Sequence, residues 1–227
     1  KAAKEAIGNH KVIGEYESRL LLDAYNIPNV PGDIARSADE AMEIAEEIGF
    51  PVVLKIVAKG LLHKSDVGGI ILNLHNSQEL RIAYKELIGN IKNNEPSAKI
   101  NGAMVERMAT KGVEVIVGMR RDATFGPIIM FGMGGTMVEL VKDIQFKVAP
   151  LSSKDIESMV ADTMAGKLLD GYRGAPIADF DALYGVIAKI NNLAMENPEI
   201  QEIEINPLIV YPQGQGVIAI DSRMILS

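Results

Sequence analysis

The residues able to do chemistry in this sequence are one histidine loop, one lysine, a run of glycines and a set of hard oxygen donors. The chain has three histidines and no cysteine, which excludes thiolate nucleophiles, disulfides and Cys-based zinc sites. His63 stands in Leu62-His63-Lys64-Ser65-Asp66-Val67-Gly68-Gly69, between two strand-like runs. A neutral imidazole is a good nucleophile towards phosphorus near pH 7. The plain alternative is a solvated loop between strands. His10 and His75 have no comparable setting and read as surface residues. Lys55 interrupts the apolar run Val52-Val53-Leu54-Lys55-Ile56-Val57. An ammonium there either meets an anion, phosphate being the natural one, or belongs to an edge strand and reaches solvent along its stem.

The glycine run is Phe131-Gly132-Met133-Gly134-Gly135-Thr136. Such a cluster can present backbone N–H groups to phosphate oxygens, or it can make a tight hairpin. Its spacing differs from the dinucleotide fingerprint, and no Gly-Lys-Ser/Thr of a Walker loop occurs in the chain. The oxygen donors are Glu202, Glu204 and Asn206, which alternate and so share one face of a strand, and Asp221 on a returning strand. Two or three such ligands suit Mg²⁺, which keeps waters and takes further ligands from substrate phosphates. A solvent-facing polar strand is the alternative. The following Pro207-Leu208-Ile209-Val210 argues for a buried strand beside the carboxylates.

The elements that must position these groups can be read from periodicity. Residues 11–26 carry Val12, Ile13, Tyr16, Leu20, Leu21 and Tyr25 at helical spacing and stop before Pro28. Ser37 with Glu40 predicts a capped helix ending at Gly49, and Asn76 with Glu79 predicts another, ending in the turn-rich stretch 93–97. Strands are expected over 51–57 and 69–74, then over 103–108, 113–120, 127–131 and 137–141. Further helices are expected from Ser153 to about Met164 and over 179–195. A hairpin of 203–211 and 217–220 around Gln213-Gly214 closes the chain. The stretch Ala109-Thr-Lys-Gly112 reads as the point between two lobes.

Composition sets the outer limits. The 227 residues suffice for one large domain or two small lobes with a substantial core. The formal charge of −7, without a basic run, argues against nucleic acid or an anionic membrane surface as partner. Apolar runs such as 113–119, broken by Glu114, are far shorter than a membrane span, and residues 1–11 lack an apolar signal core. A soluble protein of the cytoplasm is the expectation.

In order along the chain, Pro-Val-Val-Leu-Lys55, His63-Lys-Ser-Asp-Val-Gly-Gly, Gly112-Val-Glu-Val-Ile-Val-Gly118, Phe125-Gly-Pro, Phe131-Gly-Met-Gly-Gly and Glu204-Ile-Asn-Pro resemble the ATP-grasp nucleotide-binding subunit of ADP-forming acetyl-CoA synthetases. This family (acetate–CoA ligase, ADP-forming) is related to succinyl-CoA synthetase. The resemblance covers nearly the whole chain, and the His-Lys-Ser-Asp-x-Gly-Gly loop is its most specific part. It implies an α/β (α+β) class and a two-lobed ATP-grasp fold with nucleotide between the lobes. The smaller lobe would span about 28–105, the larger about 1–27 plus 106–227.

The resemblance also implies roles. Lys55 would contact the α- and β-phosphates of ATP or ADP, Glu106 and Met108 would lie at the adenine hinge, and Glu114 would bind the ribose. Asn206 and Asp221 would hold Mg²⁺, His63 would be the phosphorylated histidine on a swinging loop, and Glu204 would orient it. Relatives commonly have Asp at the Glu204 position. The implied reaction interconverts acyl-CoA, ADP and phosphate with carboxylate, CoA and ATP. Acyl-CoA, phosphate and carboxylate would be handled on a CoA-binding alpha subunit, in an α2β2 or similar hetero-oligomer. A partner histidine would pass the phosphoryl group to His63. The chain is expected to be active only with that partner. The competing readings are another ATP-grasp ligase subunit, succinyl-CoA synthetase-like or a carboxylate–amine ligase, and a non-catalytic nucleotide-sensing module.

Overall fold

The computed structural model describes residues 12–59, 67–135 and 141–227. In chain order its elements are β1 (Val12–Ile13), α1 (Glu15–Ala24), β2 (Gly32–Ala35), α2 (Ala38–Ile48), β3 (Val52–Lys59), β4 (Ile70–Leu74), α3 (Ser77–Asn94) and β5 (Lys99–Arg107). There follow β6 (Val113–Asp122), β7 (Gly126–Met133), β8 (Ile144–Val148), α4 (Ser153–Ala161), α5 (Met164–Leu169), α6 (Phe180–Glu196), β9 (Ile200–Val210), β10 (Val217–Ala219) and β11 (Ser222–Leu226). Helix and strand are mixed, as expected for the α/β (α+β) class. The chain forms two compact units, one of residues 30–109 and one of 1–29 with 110–227.

In the 30–109 unit, a four-stranded antiparallel sheet runs in the order β2-β5-β3-β4. One face packs on α2 and α3, with Leu54, Ile56, Val105, Leu80, Leu87 and Ile91 fully buried between them. Both helices start on the caps expected of them. Ser37 accepts from the Glu40 N–H, and Asn76 accepts from the Glu79 N–H. The Glu40 carboxylate reaches back to the Arg36 N–H at 2.8 Å, one residue before the cap. Gly49 ends α2 with φ +84°, a conformation in which a side chain would be strained.

In the other unit, a seven-stranded sheet runs β1-β11-β9-β6-β7-β8, with β10 pairing β9 beyond β11. Its pairs are all antiparallel. α4, α5 and α6 pack on one face, over a core that includes Val117, Met119, Ile129, Phe131, Ile187, Ile203 and Ile205. Asp179 caps α6 through the Ala182 N–H, and Ser152 with Asp155 forms a full capping box on α4.

The structure corrects several expected elements. The helix read over 11–26 begins only at Glu15. Val12 and Ile13 pair instead with Ile225 and Met224, and extended Gly14 separates strand from helix. The single helix expected from 153 to 164 is two, because the chain turns at Asp162-Thr163 and Thr163 caps α5 through the Gly166 N–H. Strands β2, β8 and β11 are additional to those expected from the sequence. The strand expected over 137–141 falls, up to residue 140, outside the described residues. Among the described residues no helix is long and apolar enough to cross a membrane.

Candidate functional site

Lys55 does not lie on an edge. β3 pairs with β5 on one side and β4 on the other, so its side chain must find its partner inside the unit. Register puts Glu106 opposite Val53, and Met104 opposite Lys55. Strand alternation therefore places Val53, Lys55, Met104 and Glu106 on the face turned away from Leu54, Ile56 and Val105. On that face Lys55 Nζ lies 2.7 Å from Glu106 Oε2, with side chains 7% and 0% exposed. The ion pair is buried, where each charge is costly without compensation. Gly32, opposite Glu106 on β2, makes room for it. A Cβ at Gly32 would sit 2.8 Å from Glu106 Cγ. Just beyond β5, the Met108 N–H donates to the Pro51 carbonyl at 2.9 Å, which fixes the backbone there.

A second constellation forms in the other unit. On β9, Ile203 and Ile205 enter the core, and Glu202, Glu204 and Asn206 take the opposite face. The return of the chain through β10 and β11 brings Asp221 beside Asn206, whose N–H donates to the Asp221 carbonyl at 3.0 Å. Next to it Ser222 pairs with Ile205. The Asp221 side chain is exposed. Asn206 Oδ1 accepts the Gly135 N–H at 2.9 Å. The Glu114 carbonyl, near the start of β6, accepts the Gly134 N–H at 3.0 Å. The Glu114 carboxylate lies against Gly135, with Cδ 3.1 Å from where a Cβ would stand. Glu114, the glycine run, Asn206 and Asp221 are thus brought together by β6, β7, β9 and the β10–β11 junction.

Glu204 is held as well. Arg223, two residues after Asp221 and opposite Glu204 on β11, puts Nη2 2.9 Å from Glu202 Oε1 and 3.3 Å from Glu204 Oε2. Sequence reading missed Arg223. The usable signal was its parity with Asp221, but that needs β11 to be recognised as a strand. His63 lies outside the described residues.

Among the described residues no three His, Cys, Asp or Glu side chains converge as a metal-binding group. Asn206 and Asp221 nonetheless offer an amide and a carboxylate oxygen, the hard donors Mg²⁺ takes when waters and phosphates supply the rest. The Asn206 oxygen has two lone pairs, and Gly135 takes one. The donor set fits the ion.

The profile of one protein family, the ATP-grasp domain, matches residues 4–226. The chain belongs to the ATP-grasp family. It is 42% identical over 223 residues to the beta subunit of ADP-forming acetate–CoA ligase I from Pyrococcus furiosus, covering 98% of this chain and 95% of that subunit. The family is therefore that of the ADP-forming acetate–CoA ligase beta subunits. ADP-forming acetate–CoA ligase I of Archaeoglobus fulgidus is 43% identical over 216 residues, but the chain spans only 31% of that longer protein. Acetyl-coenzyme A synthetase 1 of Ca. Korarchaeum cryptofilum, solved with coenzyme A and Ca-AMPCP, superposes with a TM-score of 0.92 at 45% identity, over 99% of this chain and 96% of that one. A second complex of that synthetase, with coenzyme A and Mg-AMPPCP, has its phosphohistidine segment pointing towards the nucleotide-binding site. It superposes with a TM-score of 0.85 at 42% identity, again over 99% of this chain and 96% of that one.

Proposed function

We propose that the chain is the nucleotide-binding part of an ADP-forming acyl-CoA synthetase, acting with acetyl-CoA or a close relative. It would interconvert acyl-CoA, ADP and phosphate with carboxylate, CoA and ATP in the cytoplasm. The observation that carries this reading is the end-to-end match to an acetate–CoA ligase beta subunit. In the direction of ATP synthesis, a phosphoryl group on the His63 imidazole passes to the β-phosphate oxygen of ADP. The N–P bond breaks, an O–P bond forms, and the imidazole is left neutral. The phosphohistidine segment of the Korarchaeum synthetase supports His63 in that role.

Phosphoryl transfer asks for alignment and charge neutralisation. Lys55 supplies a cation to the α- and β-phosphates, and its buried setting keeps it poised on Glu106 until the nucleotide arrives. Met108, with the Glu106 backbone, lines the adenine edge, and Glu114 takes the ribose hydroxyls. Asn206 and Asp221 would hold Mg²⁺, which neutralises phosphate charge when bound. Glu204 fixes the tautomer of the phosphohistidine imidazole, and Arg223 restrains the longer acid through its shared contact with Glu202.

The remaining chemistry, acyl phosphate formation and CoA release, we assign to a CoA-binding alpha subunit in a hetero-oligomer such as α2β2. The match over 95% of a relative named as a beta subunit supports a partner subunit. The match to 31% of one longer enzyme supports the same division of labour within a single polypeptide. The test is His63→Ala in the reconstituted complex. ATP formation from acetyl-CoA, ADP and phosphate should fall to background, and undiminished ATP synthesis would remove His63 from the mechanism.

A further inference from the structure

We infer that the glycine run 132–135 positions Asn206 and Glu114 instead of cradling phosphate, and that Gly135 is the residue coupling the two. The inference rests on the reading of Glu114 as a nucleotide contact and Asn206 as a Mg²⁺ ligand. An anion-binding glycine loop needs N–H groups aimed outwards. Here the Met133, Gly134 and Gly135 N–H groups are all engaged within the protein, by the Asp143 carbonyl at 3.2 Å, the Glu114 carbonyl at 3.0 Å and Asn206 Oδ1 at 2.9 Å.

The glycines serve close approach. A Cβ at Gly134 would stand 2.7 Å from Val115 Cα, and one at Gly132 would be 3.0 Å from Ile144 Cα. At Gly135 two consequences meet. Its N–H fixes which way the Asn206 amide points, so that the oxygen's second lone pair has one direction. Its missing side chain leaves the space that the Glu114 carboxylate fills, at a φ of +64°. A methyl group there would push the carboxylate away. Gly135 is thus a positioning residue acting through two neighbours.

ADP binding to the full protein at saturating Mg²⁺, measured by calorimetry, tests this in E114A, G135A and the double variant. G135A should weaken ADP about as much as E114A, about tenfold each. In the E114A background the added methyl displaces no carboxylate and keeps only the strain of its +64° φ, so the combined loss in the double variant should fall well short of the product of the two single losses. A merely structural role would instead multiply the two losses, and that result would overturn the inference. So would a G135A protein that binds ADP like the wild type while E114A does not. If E114A itself binds ADP normally, the ribose role of Glu114 falls, and the coupling falls with it.

Should G135A not fold, amide hydrogen exchange of Gly135 in N206A decides the matter. Exchange about tenfold faster than in the wild type is expected for loss of that one acceptor. An unchanged rate would overturn the inference.

Discussion

In the proposed function, the buried Lys55–Glu106 pair would serve stability and ligand binding together. Breaking a buried ion pair by removing one partner costs about 3–5 kcal/mol, whereas replacing both by apolar groups of similar volume is often neutral. K55M and E106L should therefore each lower the urea midpoint sharply. The K55M/E106L double variant should recover most of the loss yet bind ADP far more weakly than the wild type. A double variant as unstable as the singles would contradict this. The anomaly at Lys55 was legible in sequence, because a lysine inside an apolar run calls for an anion. Its protein partner was not legible. Glu106 lies 51 positions away, and only the β3–β5 register brings the two side chains to one face. Glu204 was likewise singled out, but not the Arg223 that holds it.

Among the elements, α6 is tied to the rest of its unit at both ends, by its own N-cap Asp179 and by Arg121 from β6. At its start Asp179 accepts the Ala182 N–H at 3.1 Å and the Gly216 N–H at 2.8 Å. These bonds, Gly216 first, hold its carboxyl below the usual value of 3.8. A carboxyl whose folded pKa is lowered stabilises the fold above its unfolded pKa and loses that contribution as pH falls through the folded value. Asp179→Ala should cost about 1–2 kcal/mol near neutral pH. The gap in thermal midpoint between wild type and variant should close as pH is lowered below about 4. A gap independent of pH would contradict the assignment.

At the far end of α6, Arg121 donates to the Ala194, Asn197 and Ile200 carbonyls at 2.7, 3.1 and 3.0 Å. Bonds from a charged donor are the stronger kind. Arg121→Ala should lower stability by about 2–3 kcal/mol, as read by urea denaturation.

The caps Ser37 and Asn76 were the most legible feature of the elements, since each acts within a few residues of itself; Ser152 and Asp179 cap in the same local way but were not singled out. Short strands were the least legible. β8, Ile-Gln-Phe-Lys-Val, is only five residues long with exposed Phe146 and Val148, and β11, Ser-Arg-Met-Ile-Leu, lacks alternation; their order comes from pairing with β7 and β9. Val12 and Ile13 fitted a helical period, but pairing with β11 took precedence.

At the scale of the whole molecule, the proposed chemistry divides between this chain and a CoA-binding partner. The residues proposed to bind nucleotide all belong to this chain, so the isolated chain should bind Mg-ATP, detectable as a rise in thermal midpoint with ligand concentration. It should show no acetyl-CoA synthetase turnover until the alpha subunit is added. Turnover by the purified chain alone would contradict that division. The family was legible because its motifs recur in order along the sequence, each with a chemical reason. The contacts that tune them, from Gly32 to Gly135 and Arg223, depend on strand register and so needed the fold.

The central claim is that one imidazole carries the phosphoryl group. The most direct measurement incubates the protein, with its CoA-binding partner, with γ-labelled ATP and Mg²⁺, and locates the acid-labile label by residue. The account predicts label on His63, lost in His63→Ala and discharged as ATP when ADP is added. Label on another residue of this chain, or none on it while ATP is still being made from acetyl-CoA, ADP and phosphate, would contradict it.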